Sequence, residues 1–103
     1  MANRYIVFPK AQSDLENIMK YISVDLANSE AAMILITKFE AKFEELILFP
    51  KAYPVMENKS LIIHNVRKCI VDNFLVFYLF NESNMMIEIV RVIYGRQDYF
   101  KSL

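Results

Sequence analysis

The chain has 103 residues, the length of one small domain, so we expect a single domain over residues 1–103. Apolar residues make up 55% of it, including eight Phe, six Tyr and six Met, which is enough for a compact core without disulfides. Twelve Lys and Arg balance twelve Asp and Glu, and this formal net charge of +0 argues against nonspecific nucleic-acid binding, which needs a basic excess.

The first predicted element is a strand over residues 5–8, a run of aromatic and β-branched residues that Pro9 ends. Ser13 and Glu16 then match a capping box, a pattern typical of a helix start. Apolar residues follow at helical spacing, at positions 15, 18, 19, 22 and 26. The first helix is therefore predicted over about residues 14–27.

A second helix is predicted after a break at Asn28 and Ser29, with Ser29 as its cap and Glu30 in its first turn. Its apolar positions include 33, 36, 43, 46 and 47, and lysines and glutamates occupy the other side. Pro50 disfavours helical geometry in the residue before it, so the helix should end there. The short connection predicts an antiparallel helical hairpin.

The second half of the chain has the composition of strands. Residues 49–60 contain two prolines and no periodicity, so they form the main loop. Three apolar runs follow, about residues 61–71, 74–80 and 85–94, separated by short polar turns. The sequence therefore predicts an α+β fold: a first strand, a helical hairpin and a three-strand antiparallel meander, with the helices packed on one face of the sheet.

The cellular location is indicated by what the sequence lacks. The single Cys69 excludes an internal disulfide, and a free thiol suits a reducing cytoplasm. No charged segment followed by an uninterrupted apolar one opens the chain, as a signal peptide would require. The longest apolar stretches, residues 34–49 and 69–80, are interrupted by charges. We expect a soluble cytoplasmic protein without a membrane partner.

The end of the last strand carries the strongest local motif. Residues 90–99 read VRVIYGRQDY, which resembles the closing motif of ParE-type toxins, Arg-Val-Leu/Ile-His-Gly-Arg-Arg/Gln-Asp. Tyr94 departs from it, because the family has His before the glycine. Other pieces of the pattern occur in the same order: a Tyr-containing first strand, Ala11, Asp14-Leu15, Ile18, Tyr21-Ile22, Leu46, Phe49-Pro50, Arg67 and the strand at 74–78. The chain thus resembles the RelE/ParE superfamily of type II toxins, closer to its ParE-like branch.

The resemblance implies a growth-inhibiting toxin of the kind that stabilises plasmids, neutralised by a cognate antitoxin in a toxin–antitoxin hetero-oligomer. ParE-like toxins block DNA gyrase by binding, whereas RelE-like toxins cut messenger RNA on the ribosome without a metal. The neutral charge favours the gyrase block, and so does Phe100, which stands where RNA-cutting relatives often place a catalytic Tyr. The endoribonuclease is the alternative, and a non-toxic interaction domain of the same fold is a second one. Whether the chain is an enzyme stays open.

The candidate catalytic or target-binding residues are cations and tyrosines. Arginines bind phosphate or acidic partners, and tyrosines transfer protons or stack on bases. The primary candidates are Arg67, Arg91, Tyr94, Arg96 and Tyr99, and the secondary ones are Lys68 and Asp98.

Some of these candidates, and two further polar residues, can instead be explained by a role in the fold alone. Arg91 shares its strand parity with apolar residues, so it is expected either at a site or paired with a helix residue. Arg67 and Lys68 should lie on opposite faces of one strand. His64 and Cys69 are expected to be a strand residue and a small buried hydrophobe. With one glycine and no ligand spacing, no cofactor and no metal are expected.

Overall fold

The computed structural model describes residues 1–56 and 65–95. It confirms the predicted order of elements. These are β1 (Arg4–Val7), α1 (Pro9–Lys20), a π-helical segment (Tyr21–Asp25), α2 (Ser29–Leu48), β2 (Arg67–Val71), β3 (Phe74–Asn81) and β4 (Met86–Tyr94). No helix in the described part of the chain has the length and apolar character needed to cross a membrane.

The four strands form one mixed sheet in the order β1-β4-β3-β2. The predicted meander is confirmed, since β2 and β3 are antiparallel, as are β3 and β4. β1 adds to the far edge of β4 in parallel. Parallel neighbours need a crossover connection, and here the helical hairpin belongs to that crossover.

The core lies mainly between the helices and one face of the sheet. Three side chains of α2, Phe39, Phe43 and Leu46, are buried against this face. The sheet contributes Val76, Tyr78, Ile87 and Ile89. A smaller cluster on the other face contains Val66, Leu75, Phe77, Val90 and Ile93. The prediction that the helices lie on one face is therefore confirmed.

The start predicted for the first helix is wrong. α1 begins at Pro9, and Ser13 lies inside the helix rather than capping it. Proline is favourable at the first helical position because its missing N–H has no intrahelical partner to lose and its φ is already helical. Pro9 thus ends β1 and begins α1, whose N-cap, Phe8, makes no side-chain capping bond.

The cap predicted for the second helix is also wrong by one residue. The N-cap is Asn28, whose side-chain oxygen accepts a hydrogen bond from the Ala31 N–H at 3.0 Å, and Ser29 is the first helical residue. The predicted end is confirmed, because α2 stops at Leu48, two residues before Pro50.

The strand predictions hold to within one residue for β3 and β4. β2 covers the end of the predicted run 61–71, and residues 57–64, including His64, lie outside the described residues. The loop after α2 returns to the sheet at Val55, which forms an isolated antiparallel bridge with Arg67.

Candidate functional site

Four of the predicted site residues lie on described strands: Arg67, Lys68, Arg91 and Tyr94. The others lie outside the described residues: Arg96, Asp98 and Tyr99. Phe100, which argued against a ribonuclease, lies outside them as well.

A bulge in β4 decides which way Arg91 faces. Phe77 pairs with Arg91, while the next residue of β3, Tyr78, pairs with Ile89, so Val90 is an extra residue in β4. Before the bulge Ile89 lies in the core beneath the helices, and after it Val92 does. Strand parity therefore changes at Val90, which explains why Arg91 shares its sequence parity with the buried Ile87 and Ile89 without entering their cluster.

Arg91 is bound by Asp14 of α1. Its Nε donates to Asp14 Oδ2 at 2.8 Å and its Nη2 donates to Oδ1 at 3.0 Å, a bidentate pair. The Val92 backbone N–H donates to the same Oδ2 at 2.9 Å. The Arg91 and Asp14 side chains are only 15% and 16% exposed. The structure thus shows Arg91 paired with a helix residue, the structural alternative raised from the sequence.

The position of Asp14 follows from the short length of β1. β1 pairs with β4 as far as Ile89, whose carbonyl also accepts the Phe8 N–H at 2.9 Å. Beyond that point the chain has turned into α1, and among residues 1–56 and 65–95 no strand pairs with this edge of β4. On this edge, the Val92 N–H donates to the Asp14 carboxylate, which takes the place of a strand carbonyl.

Tyr94 lies at the end of β4 and is 40% exposed. Its ring packs against Phe74, with the centroids 5.7 Å apart. Tyr21 and Ile22 of the π-helical segment lie on the other side, and together with Ile18 these residues line an apolar pocket of about 460 Å³. The exposed tyrosine therefore stands at the edge of a preformed apolar depression.

Gly95 follows Tyr94 and is needed for close approach between two backbone segments. Its N–H donates to the Asn73 carbonyl at 2.8 Å. A Cβ at Gly95 would lie 3.0 Å from that oxygen, closer than side-chain carbons normally come. The close approach of the β2–β3 turn thus explains why the closing motif has a glycine at this position.

The four described candidates do not form one cluster. Lys68 and Arg91 both pair with Phe77, so they lie on one side of the sheet with a strand between them, about 10 Å apart at Cα. Arg67 lies on the opposite face, as predicted, and its Nη1 donates to the Tyr53 carbonyl at 2.7 Å. Arg67 therefore anchors the loop after α2, away from Arg91.

Sequence reasoning missed a second polar cluster around this loop. Lys42 Nζ lies 2.8 Å from Glu45 Oε2 and donates to the Tyr53 hydroxyl at 2.8 Å. These two hydrogen bonds, the one to Glu45 first, raise the pKa of Lys42. The buried Tyr78 hydroxyl donates to the Pro50 carbonyl at 2.9 Å. The Lys42–Glu45 spacing is visible in the sequence, but the contacts with the loop are not.

Cys69 and Tyr78 are buried beside this cluster, and burial raises the pKa of each to about 12. A thiol with so high a pKa stays protonated at neutral pH and is a poor nucleophile. The prediction that Cys69 is a buried hydrophobe is confirmed. Within residues 1–56 and 65–95, no group of three or more His, Cys, Asp or Glu is placed to hold a metal ion.

Comparison with known proteins agrees with this architecture. Residues 5–99 match the family model described as the ParE toxin of the type II toxin–antitoxin system, parDE. The chromosomal ParDE system from P. aeruginosa has a similar structure, with a TM-score of 0.69, 17% identity and coverage of 88% of this chain and 94% of that one. The toxin–antitoxin complex RelBE2 from Mycobacterium tuberculosis is also similar, with a TM-score of 0.54, 12% identity and coverage of 91% of this chain and 99% of that one. No curated protein matches the sequence. Because the family model spans nearly the whole chain, this protein belongs to the ParE toxin family of type II toxin–antitoxin systems.

Proposed function

We propose that this toxin arrests growth by binding DNA gyrase and blocking it, without chemistry of its own. The observation that carries the proposal is the bidentate Arg91–Asp14 pair. A nuclease site needs cations directed at the phosphate where charge develops, whereas the Arg91 guanidinium is committed to a carboxylate. Arg67 is likewise committed to a backbone carbonyl on the other face of the sheet. Family membership supports the same direction.

The target-binding surface in this proposal is the end of β4 and the residues that follow it. Tyr94 is exposed and supported from below by Phe74, the arrangement of an aromatic residue that anchors an interface. Lys68 and Arg91 pair with Phe77, whereas Tyr94 pairs with Phe74, so these two cations lie on the opposite face of the sheet and outside this surface. The remaining contacts are assigned to the residues after Gly95, namely Arg96, Asp98 and Tyr99.

The partner in this proposal is an antitoxin, bound in a hetero-oligomer. Two solved structures with a similar fold are a toxin–antitoxin system and a toxin–antitoxin complex. Large apolar side chains at the end of the helical hairpin, which a partner would cover, are more than half exposed: Tyr21, Val24, Leu26, Met33 and Ile34.

The test is to induce the chain alone in bacteria and to follow DNA damage signalling and new messenger RNA 5′ ends within minutes. The proposal expects arrested growth, DNA damage of the gyrase type and intact messages. Translation-dependent cuts would replace it with the RelE-like endoribonuclease. Unimpaired growth would indicate a non-toxic interaction domain.

A substitution at Arg96 separates target binding from folding. Arg96→Ala should reduce growth arrest while leaving thermal melting and antitoxin binding nearly unchanged, since the proposal assigns this residue to the target. Arg4→Ala, at an exposed position on β1, is the matched control and should retain toxicity. Loss of the fold in Arg96→Ala would show that Arg96 is structural.

A further inference from the structure

An apolar depression lies at the end of the strands opposite to Tyr94, where the end of α2 meets the β3–β4 turn. Its volume is about 580 Å³, and its wall includes Pro50, Phe80 and Met85. Phe49 also borders it, and this residue is 61% exposed. A large exposed aromatic side chain therefore stands directly beside an apolar depression.

The backbone around this depression is held in place by hydrogen bonds within the chain. The Asn3 N–H donates to the Met85 carbonyl at 2.7 Å, which fixes the β3–β4 turn. On the other side, the Pro50 carbonyl accepts the hydroxyl of the buried Tyr78 at 2.9 Å. The depression is thus preformed, so an occupant binds without first ordering its walls.

The charges at the rim of the depression are balanced. Lys51 Nζ lies 3.1 Å from Glu82 Oε1, and the two side chains are 60% and 65% exposed. A two-fold contact brings a surface against its own copy, so a rim with one cation and one anion is complementary to itself. The groove between α1, α2 and β1 differs, because its lining in the described part of the chain includes Glu16 and Glu40 but no Lys or Arg. Charge therefore favours a second copy of this chain at the depression.

We propose that two copies of the toxin associate through this depression about a two-fold axis. Phe49 of each copy packs into the depression of the other and is the aromatic anchor of the contact. Lys51 of each copy lies beside Glu82 of the other. The contact is small and its rim charges are exposed, so the dissociation constant is on the order of 10 µM. This association is independent of what the toxin binds through Tyr94, because the two surfaces lie at opposite ends of the strands.

The test is sedimentation equilibrium of the folded full chain, without antitoxin, at concentrations on both sides of that dissociation constant. Lys51→Glu leaves two glutamates at the rim and Glu82→Lys leaves two lysines, so each variant alone should dimerise on the order of 10-fold more weakly. An equimolar mixture of the two variants should dimerise as well as the parent chain, because each glutamate of one copy then meets a lysine of the other. Both variants lose the ion pair within the chain, so recovery in the mixture reports a contact between copies.

The matched controls are Lys38→Glu and Glu30→Lys, which change the net charge equally at exposed positions outside the depression. Both should dimerise as the parent chain does. Phe49→Ala should weaken the dimer on the order of 10-fold, with thermal melting to confirm that the fold is kept. A parent chain that is monomeric throughout, rim variants that dimerise like the parent, no gain in the mixture, or an equal loss in the controls would each overturn the proposed dimer.

Discussion

At the scale of single residues, Asp14 joins α1 to the end of β4, beyond the part that pairs with β1. Its carboxylate accepts from Arg91 Nε, Arg91 Nη2 and the Val92 N–H. The sequence marked Arg91 as a candidate, but its partner lies 77 residues away, and no local pattern connects the two. The sequence therefore raised pairing with a helix residue as one of two roles for Arg91, but it could not identify Asp14 as the partner.

Removing this carboxylate should destabilise the fold. Asp14→Ala removes the carboxylate that accepts two largely buried guanidinium hydrogen bonds and one backbone hydrogen bond, so the free energy of unfolding should fall by about 2–4 kcal/mol. Urea denaturation of Asp14→Ala, Arg91→Ala and the double variant gives their coupling energy, expected at about 1–3 kcal/mol. Strictly additive effects would show that the pair contributes nothing of its own.

The buried Cys69 and Tyr78 should make the protein sensitive to alkali. Burial raises the pKa of the thiol from 9.0 and that of the phenol from 10.0, each to about 12. The unfolded chain therefore loses these protons first, and the stability that the neutral groups provide is complete below pH 9 and is lost as pH rises to about 12. Urea midpoints across this range should fall, and less steeply in Cys69→Ala/Tyr78→Phe. Parallel curves for the two proteins would contradict the assignment.

At the scale of elements, the periodic interiors were predictable and the ends of the helices were not. Apolar spacing located both helices, and short polar turns located β3 and β4. The capping-box pattern at Ser13 misplaced the start of α1, because Pro9 is also a good first helical residue and the helix simply begins earlier. The bulge at Val90 changes the strand parity; the sequence indicated a bulge or a strong twist there, because the strand offers no clean apolar face, but it did not give the position of the bulge.

The helix cap offers a direct test of the corrected boundary. Asn28→Ala removes the acceptor for the Ala31 N–H and should lower the free energy of unfolding by about 1 kcal/mol. Ser29→Ala, at the first helical position, should change it by less than about 0.5 kcal/mol. Chemical denaturation of the two variants decides between them, and a larger loss for Ser29→Ala would restore the cap predicted from the sequence.

At the scale of the whole molecule, the fold class and the family followed from the order of motifs along the chain. The pairing of β1 with β4 did not, because it joins the two ends of the described chain through a parallel contact. That pairing brings α1 against the end of β4, where the closing motif begins. The position of the proposed target surface is thus a product of topology rather than of any local segment.

The most direct test of the proposed function is a supercoiling assay with purified gyrase, relaxed plasmid, ATP and increasing amounts of the folded toxin. We expect supercoiling to stop near one toxin per gyrase subunit that it binds, and premixed antitoxin to restore it. A Tyr94→Ala variant should require a higher concentration for the same effect, because the proposed interface loses its exposed aromatic anchor. Full supercoiling at a large molar excess of folded toxin would show that this toxin does not block gyrase.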